Sequence, residues 1–121
     1  MGKQSLVSAF KNAGWGITTA AKERNFKIEL GFGVAAIILG VAFSIDFTQW
    51  AVIALCIGVV LGGECVNTAL EAVVDLASPD YHELARVAKD CAAGAVLVNS
   101  LAALFVAAFI FLPKILGLFF N

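Results

Sequence analysis

Ala51-Val-Ile-Ala-Leu-Cys-Ile-Gly-Val-Val-Leu-Gly-Gly63 contains no charged residue and passes directly into Glu64-Cys-Val-Asn-Thr-Ala-Leu-Glu-Ala-Val-Val-Asp75. The first half reads as the inside of a membrane span. The second half puts three carboxylates and an amide on the same continuous segment. On a helix turning by about 100° per residue, Glu71 falls near −20° from Glu64, Asp75 near +20° and Asn67 near −60°. All four share one narrow stripe, roughly 16 Å long, with Glu64 deepest and Asp75 shallowest.

Composition agrees with a membrane reading. Apolar residues make up 61% of the 121-residue chain, against about 45–50% in soluble domains. A soluble domain of this size cannot bury so much apolar surface. Lipid-facing backbone must pair internally, which leaves helices or a closed barrel. The apolar runs lack the alternation of barrel strands, so the expected fold is all-α. Net charge is −1, which excludes bulk electrostatic binding of nucleic acid. Cys56, Cys65 and Cys91 are odd in number and form no CxxC pair, and they read as small buried hydrophobes. The N-terminal region lacks the compact apolar core of a cleavable signal peptide.

Working outward, one domain covers residues 1–121. Residues 3–24, with their tail to 27, form an amphipathic surface helix: Leu6, Phe10, Ala13, Ile17 and Ala20 recur at helical spacing with Lys3, Lys11 and Lys22 between them. Spans are expected within helices at about 28–45, 50–75 and 88–112, each close to the roughly 20 residues that a crossing needs. A tight loop over 44–49 joins the first two, with the second helix starting near Trp50. Ser78-Pro79 breaks the chain, Asp80 and Glu83 are spaced as a capping box, and Pro113 disturbs the last turns of the third helix. Lys3, Lys11, Lys22, Arg24, Lys27, Arg86 and Lys89 all fall on one side, and Lys114 alone on the other. The positive-inside rule makes the first side cytoplasmic and puts the C-terminus outside.

The stripe carries the chemistry. Ionisable groups at membrane depth cost roughly 2.5 kcal/mol or more each, and clustered carboxylates repel unless a proton or cation sits among them. Oxygen ligands suit Mg²⁺, which is often held by one or two carboxylates together with substrate phosphates. A remaining carboxylate is then free to act as general base. Glu23 and Glu29, flanking the start of the first span, can add oxygens. Asp80, Tyr81, His82, Glu83, Lys89 and Asp90 lie at the same level, where Lys89 can meet a phosphate as a point charge. There is no GxxxxGK[ST] loop and no protein-kinase signature. The residues alone leave two readings open: phosphate chemistry on the cytoplasmic rim, or a non-enzymatic membrane protein whose carboxylates carry protons or ions.

Glu64-x-x-Asn67-Thr-Ala-Leu-Glu71-Ala-Val-Val-Asp75, then Tyr81-His82, Ala88-Lys89-Asp90 and Ala92-Ala-Gly-Ala-Val-Leu97, closely resembles the prokaryotic diacylglycerol kinase family, which includes undecaprenol kinases. Glu23-Arg24-Asn25 and Phe10-x-x-Ala13-x-x-Gly16 look like its N-terminal signature. The resemblance implies an ATP- and Mg²⁺-dependent lipid kinase of the bacterial inner membrane. It implies a homotrimer with a surface helix and three transmembrane helices per chain and with sites shared between subunits. It also implies roles: Glu64 as general base toward the lipid hydroxyl, and Glu23 and Glu71 on Mg²⁺ and the ATP phosphates. Asn67 orients the site, Asp75 and Glu29 support it, and Lys89, Asp90 and the Asp80-Tyr81-His82 stretch lie by the nucleotide. Upstream of Glu23 no role is carried over, because the Gly16–Glu23 spacing is a residue shorter than the family pattern. Leu76 after Asp75, with Glu23-Arg24-Asn25, resembles the undecaprenol branch more than the diacylglycerol branch.

Overall fold

A computed structural model describes residues 5–120. The described chain is helical throughout, with α1 at Leu6–Ala20, α2 at Arg24–Ala42, α3 at Phe47–Ala77 and α4 at Glu83–Phe120. The last three are long and apolar enough to cross a membrane. α3 has 31 residues and α4 has 38, which at 1.5 Å per residue makes them about 46 and 57 Å long. Both exceed the roughly 30 Å hydrocarbon core, so a polar extension of each stands beyond it. α3 packs most extensively on α4, next on α2, and touches α1 near its polar end.

Helix ends differ in places from the sequence expectations, each for a local reason. α3 begins at Phe47 rather than Trp50, because Asp46 and Gln49 form a reciprocal capping box: Asp46 accepts from the Gln49 N–H at 2.8 Å and Gln49 accepts from the Asp46 N–H at 3.2 Å. α2 ends at Ala42 in a Schellman turn, with the Ser44 N–H donating to the Val41 carbonyl at 3.2 Å and the Ile45 N–H to Gly40 at 3.1 Å. Ser44 takes the left-handed position, at φ 49, where glycine is usual. The Asp80–Glu83 capping box does not form. His82 instead precedes the helix: its Nδ1 accepts from the Leu84 N–H at 3.0 Å and its carbonyl from the Arg86 N–H at 3.0 Å. α4 therefore starts at Glu83, earlier than 88, and runs through Pro113 to Phe120. Pro113 lacks its own N–H and its ring crowds the carbonyl of Phe109, but Ile110 and Phe111, both buried just before it, hold that turn in place.

Ser5 caps α1, its Oγ accepting from the Ser8 N–H at 3.1 Å. Apart from buried Ala20, the side chains of α1 are exposed. Lys22 falls in the turn after α1, while Lys3 and Asn121 lie outside the described residues. All three cysteines are free, as expected, but less buried than expected, with Cys56 and Cys65 half-buried and Cys91 exposed. A thin bundle has little interior, and Cys91 falls on the outer face of α4.

The tightest core sits at the α2–α3 turn. Ile45, Ile53, Ile110 and Phe111 are buried there, with Leu39, Phe43, Trp50 and Ile57 packed around them. Gly40 makes this possible, since a Cβ on it would meet Trp50 Cη2 at 2.6 Å and Cζ2 at 2.9 Å. Elsewhere large apolar side chains such as Phe32, Ile38, Leu55, Val98 and Phe105 are exposed, as lipid-facing helices require. From Ile53 to Glu64 is eleven residues of α3, so core and carboxylates are separated by roughly 16 Å.

Candidate functional site

The turn between α1 and α2 delivers Glu23 to α3. Ala20 and Phe26, both buried, pin the chain on either side of it, and the Glu23 N–H donates to the Ala20 carbonyl at 3.0 Å. Glu23 is the N-cap residue of α2, yet its side chain makes no capping bond. Its carboxylate is instead part of a polar cleft of about 180 Å³, lined by Glu23, Arg24, Asn25, Glu64, Asn67 and Glu71. The single chain thus brings the α1–α2 turn and the α3 stripe together.

Within that cleft Glu64 is 2% exposed. Its Oε1 is buried without a hydrogen-bond partner, as is the Oδ1 of Asn67. Asn67 is oriented by its other amide atom, with Nδ2 donating to Glu71 Oε1 at 3.1 Å. Two buried acceptors lacking donors are expensive in an unliganded protein. A hydroxyl proton or a cation satisfies both. The donor set is all oxygen, the set that Mg²⁺ prefers. Among the described residues no three His, Cys, Asp or Glu side chains converge as a ready-made metal cluster.

Asp75, on the same stripe, faces a different cleft. Lys89 Nζ donates to Asp75 Oδ1 at 2.6 Å. Both line a cavity of about 310 Å³ with Val74, Ser78, Pro79, Asp80, Tyr81, His82, Ala85, Arg86 and Asp90. One turn of α3, about 6 Å, separates Glu71 from Asp75, so the two clefts adjoin. Arg86, which sequence reading used only for orientation, is bonded to Glu83 and donates to Asp90 Oδ2 at 2.8 Å. With the Tyr81 hydroxyl, it holds the Glu83 carboxyl below the usual carboxylate range. These pairs are half or more exposed and contribute little stability.

Glu29 joins neither cleft. Ser100 Oγ donates to Glu29 Oε1 at 2.6 Å, and the pair lies in an otherwise apolar groove with Gly33, Ile57, Val60 and Leu104. Sequence reasoning missed Ser100 and its neighbour Asn99. The available signal was two consecutive polar residues inside the third span.

Comparisons with known proteins agree in kind. The model of the prokaryotic diacylglycerol kinase family matches residues 11–111. A diacylglycerol kinase of Synechocystis sp. is 44% identical over 116 residues, covering 94% of this chain and 66% of that protein's length. An undecaprenol kinase of Bacillus subtilis is 41% identical over 111 residues, covering 91% of this chain and 90% of the relative. A diacylglycerol kinase of Helicobacter pylori is 31% identical over 101 residues.

Proposed function

This chain belongs to the prokaryotic diacylglycerol kinase family, a family of lipid kinases, and on that premise we propose that it transfers the γ-phosphoryl group of ATP to the hydroxyl of a membrane lipid alcohol. The observation that carries the proposal is the convergence of Glu23 with Glu64, Asn67 and Glu71 on one polar cleft, with two buried acceptors left unpartnered.

Phosphoryl transfer requires positioning and charge stabilisation more than covalent chemistry. Glu64, deepest on the stripe, is where a hydroxyl reaching up from the bilayer arrives. Its carboxylate takes the hydroxyl proton while the oxygen forms its bond to phosphorus and the bond to the departing ADP breaks. Asn67 holds the adjoining Glu71 through its amide. Glu23 and Glu71 are the residues that would hold Mg²⁺ together with the ATP phosphates, and the ion supplies neutralisation of phosphate charge when bound. Lys89, Asp90 and the Asp80-Tyr81-His82 loop, with Asp75, form the nucleotide side of the site across the adjoining cleft. Glu29 supports the lipid side.

The favoured acceptor is undecaprenol, on the strength of Leu76 and Glu23-Arg24-Asn25, with diacylglycerol the alternative. The protein works as a multi-pass component of the bacterial inner membrane, with α1 on the cytoplasmic surface and the C-terminus outside. It assembles as a homotrimer. Glu23, Glu64, Asn67 and Glu71 meet within one chain. Purified protein in detergent, given ATP and Mg²⁺ with undecaprenol or diacylglycerol in parallel, tests the proposal. Phosphorylation of the first at higher kcat/KM is expected; phosphorylation of neither refutes the kinase reading, and a preference for diacylglycerol refutes the choice of lipid.

A further inference from the structure

Asn99 and Ser100 stand within the apolar span of α4, and Asn99 plays no part in the chemistry above. Successive helical residues point about 100° apart, so the two address different neighbours. Ser100 reaches Glu29 on α2. Asn99 turns to α3, where its Nδ2 donates to the Val59 carbonyl at 3.4 Å. That bond is long, but a second measurement shows how closely the amide is seated: a Cβ on Gly63 would lie 2.8 Å from the same nitrogen. Gly63 leaves open the space that the amide fills. Val59 is four residues before Gly63, so its carbonyl is the helical acceptor for the Gly63 N–H. The amide therefore sits across one turn of α3, and Glu64 is the next residue.

Glu64 needs such support. Its Oε1 has no hydrogen-bond partner, so packing and the backbone beneath the carboxylate set its position. The residues before it are Gly62-Gly63, and glycine weakens a helix interior because it gives up the most backbone freedom on folding. We infer that Asn99 is a positioning residue for Glu64: seated on Gly63 and bonded to the Val59 carbonyl, it fixes the height and rotation of the glycine turn that presents the base. Close approach through a small residue, secured by an interhelical hydrogen bond, is how membrane helices are held in register. The inference rests on Glu64 being the general base.

The test is a double-mutant cycle on the full-length protein in detergent. Asn99→Ala should lower kcat by about tenfold, since misplacement of a reacting group by 1 Å can cost about a hundredfold. The KM for Mg²⁺–ATP and the thermal midpoint should stay near wild type. In a Glu64→Gln background the same substitution should cost almost nothing, because no base remains to be placed. Gly63→Ala should also lower kcat, and adding Asn99→Ala should restore part of the loss by removing the clash. If Gly63→Ala does not fold, the Asn99–Glu64 cycle still decides. Wild-type kcat in Asn99→Ala overturns the inference. So does a loss that multiplies fully onto Glu64→Gln, or a drop in thermal midpoint with turnover per folded protein intact. Near-normal turnover in Glu64→Gln alone refutes instead the base assignment on which the inference stands, so the two failures are distinguishable.

Discussion

Glu64→Gln should make the protein slower and more stable at once. The side chain is 2% exposed, and one of its oxygens is buried without a partner. Glu23 and Glu71 line the same cleft. Leaving a buried polar group unsatisfied costs about 1–3 kcal/mol, and more for a charged one. A neutral amide of nearly the same shape removes the charge, and with it the repulsion from the neighbouring carboxylates. A gain of about 1–2 kcal/mol in unfolding free energy follows. The amide has no basicity, so kcat should fall by roughly 10²-fold or more, the scale of general-base catalysis, with Mg²⁺–ATP affinity nearly unchanged. Steady-state kinetics beside reversible unfolding in detergent reads both quantities on one sample. Lost turnover accompanied by lost stability would refute the reasoning and make Glu64 structural. Retained turnover would refute it from the other side.

Gly40→Ala should destabilise the fold by about 1–3 kcal/mol, the usual cost of overpacking, because the new methyl meets the Trp50 ring at 2.6 Å; Trp50→Leu in the same chain should recover much of that loss in the unfolding midpoint. Ser44→Gly should stabilise by about 1 kcal/mol, since Ser44 holds a left-handed backbone at φ 49 that costs a side chain about that much, and unchanged stability would show the turn to be unstrained. Glu71→Gln should weaken binding of a nucleotide analogue chiefly when Mg²⁺ is present, as measured by titration with and without the ion. Mixing Glu23→Gln chains with Glu64→Gln chains should fail to restore activity, because both residues line a cleft within one chain; recovery in demonstrably mixed assemblies would show that the cleft is built between subunits.

The helical architecture and the carboxylate stripe were legible because both are periodic. An uninterrupted apolar run can only cross a membrane as a helix, and residues 64, 67 and 71 share a face by arithmetic. Helix ends were less legible, because they depend on short-range bonds that compete. Asp46 and Gln49 cap α3 three residues ahead of Trp50, and His82 takes the place that Asp80 was expected to fill. Asp75 shows where periodicity misleads: it lies on the stripe, but Lys89 draws it into the adjoining cleft, a contact set by how α4 packs on α3. The approach of Glu23 to Glu64 and Glu71 is likewise tertiary, made by a three-residue turn whose direction no spacing rule specifies. The Asn99–Gly63 contact was hidden because each residue alone is unremarkable, and only the helix crossing pairs them.

The buried cluster near the α2–α3 turn and the polar cleft farther along α3 are about 16 Å apart along the rod. Substitutions at that distance, with no shared partner, act independently. Variation around Asn25 or His82 can therefore change the polar clefts without eroding the contacts that keep the helices together. A library confined to the polar end should yield folded variants at high frequency, and a Gly40 or Ser44 change at the other end can be added afterwards as an independent adjustment of durability.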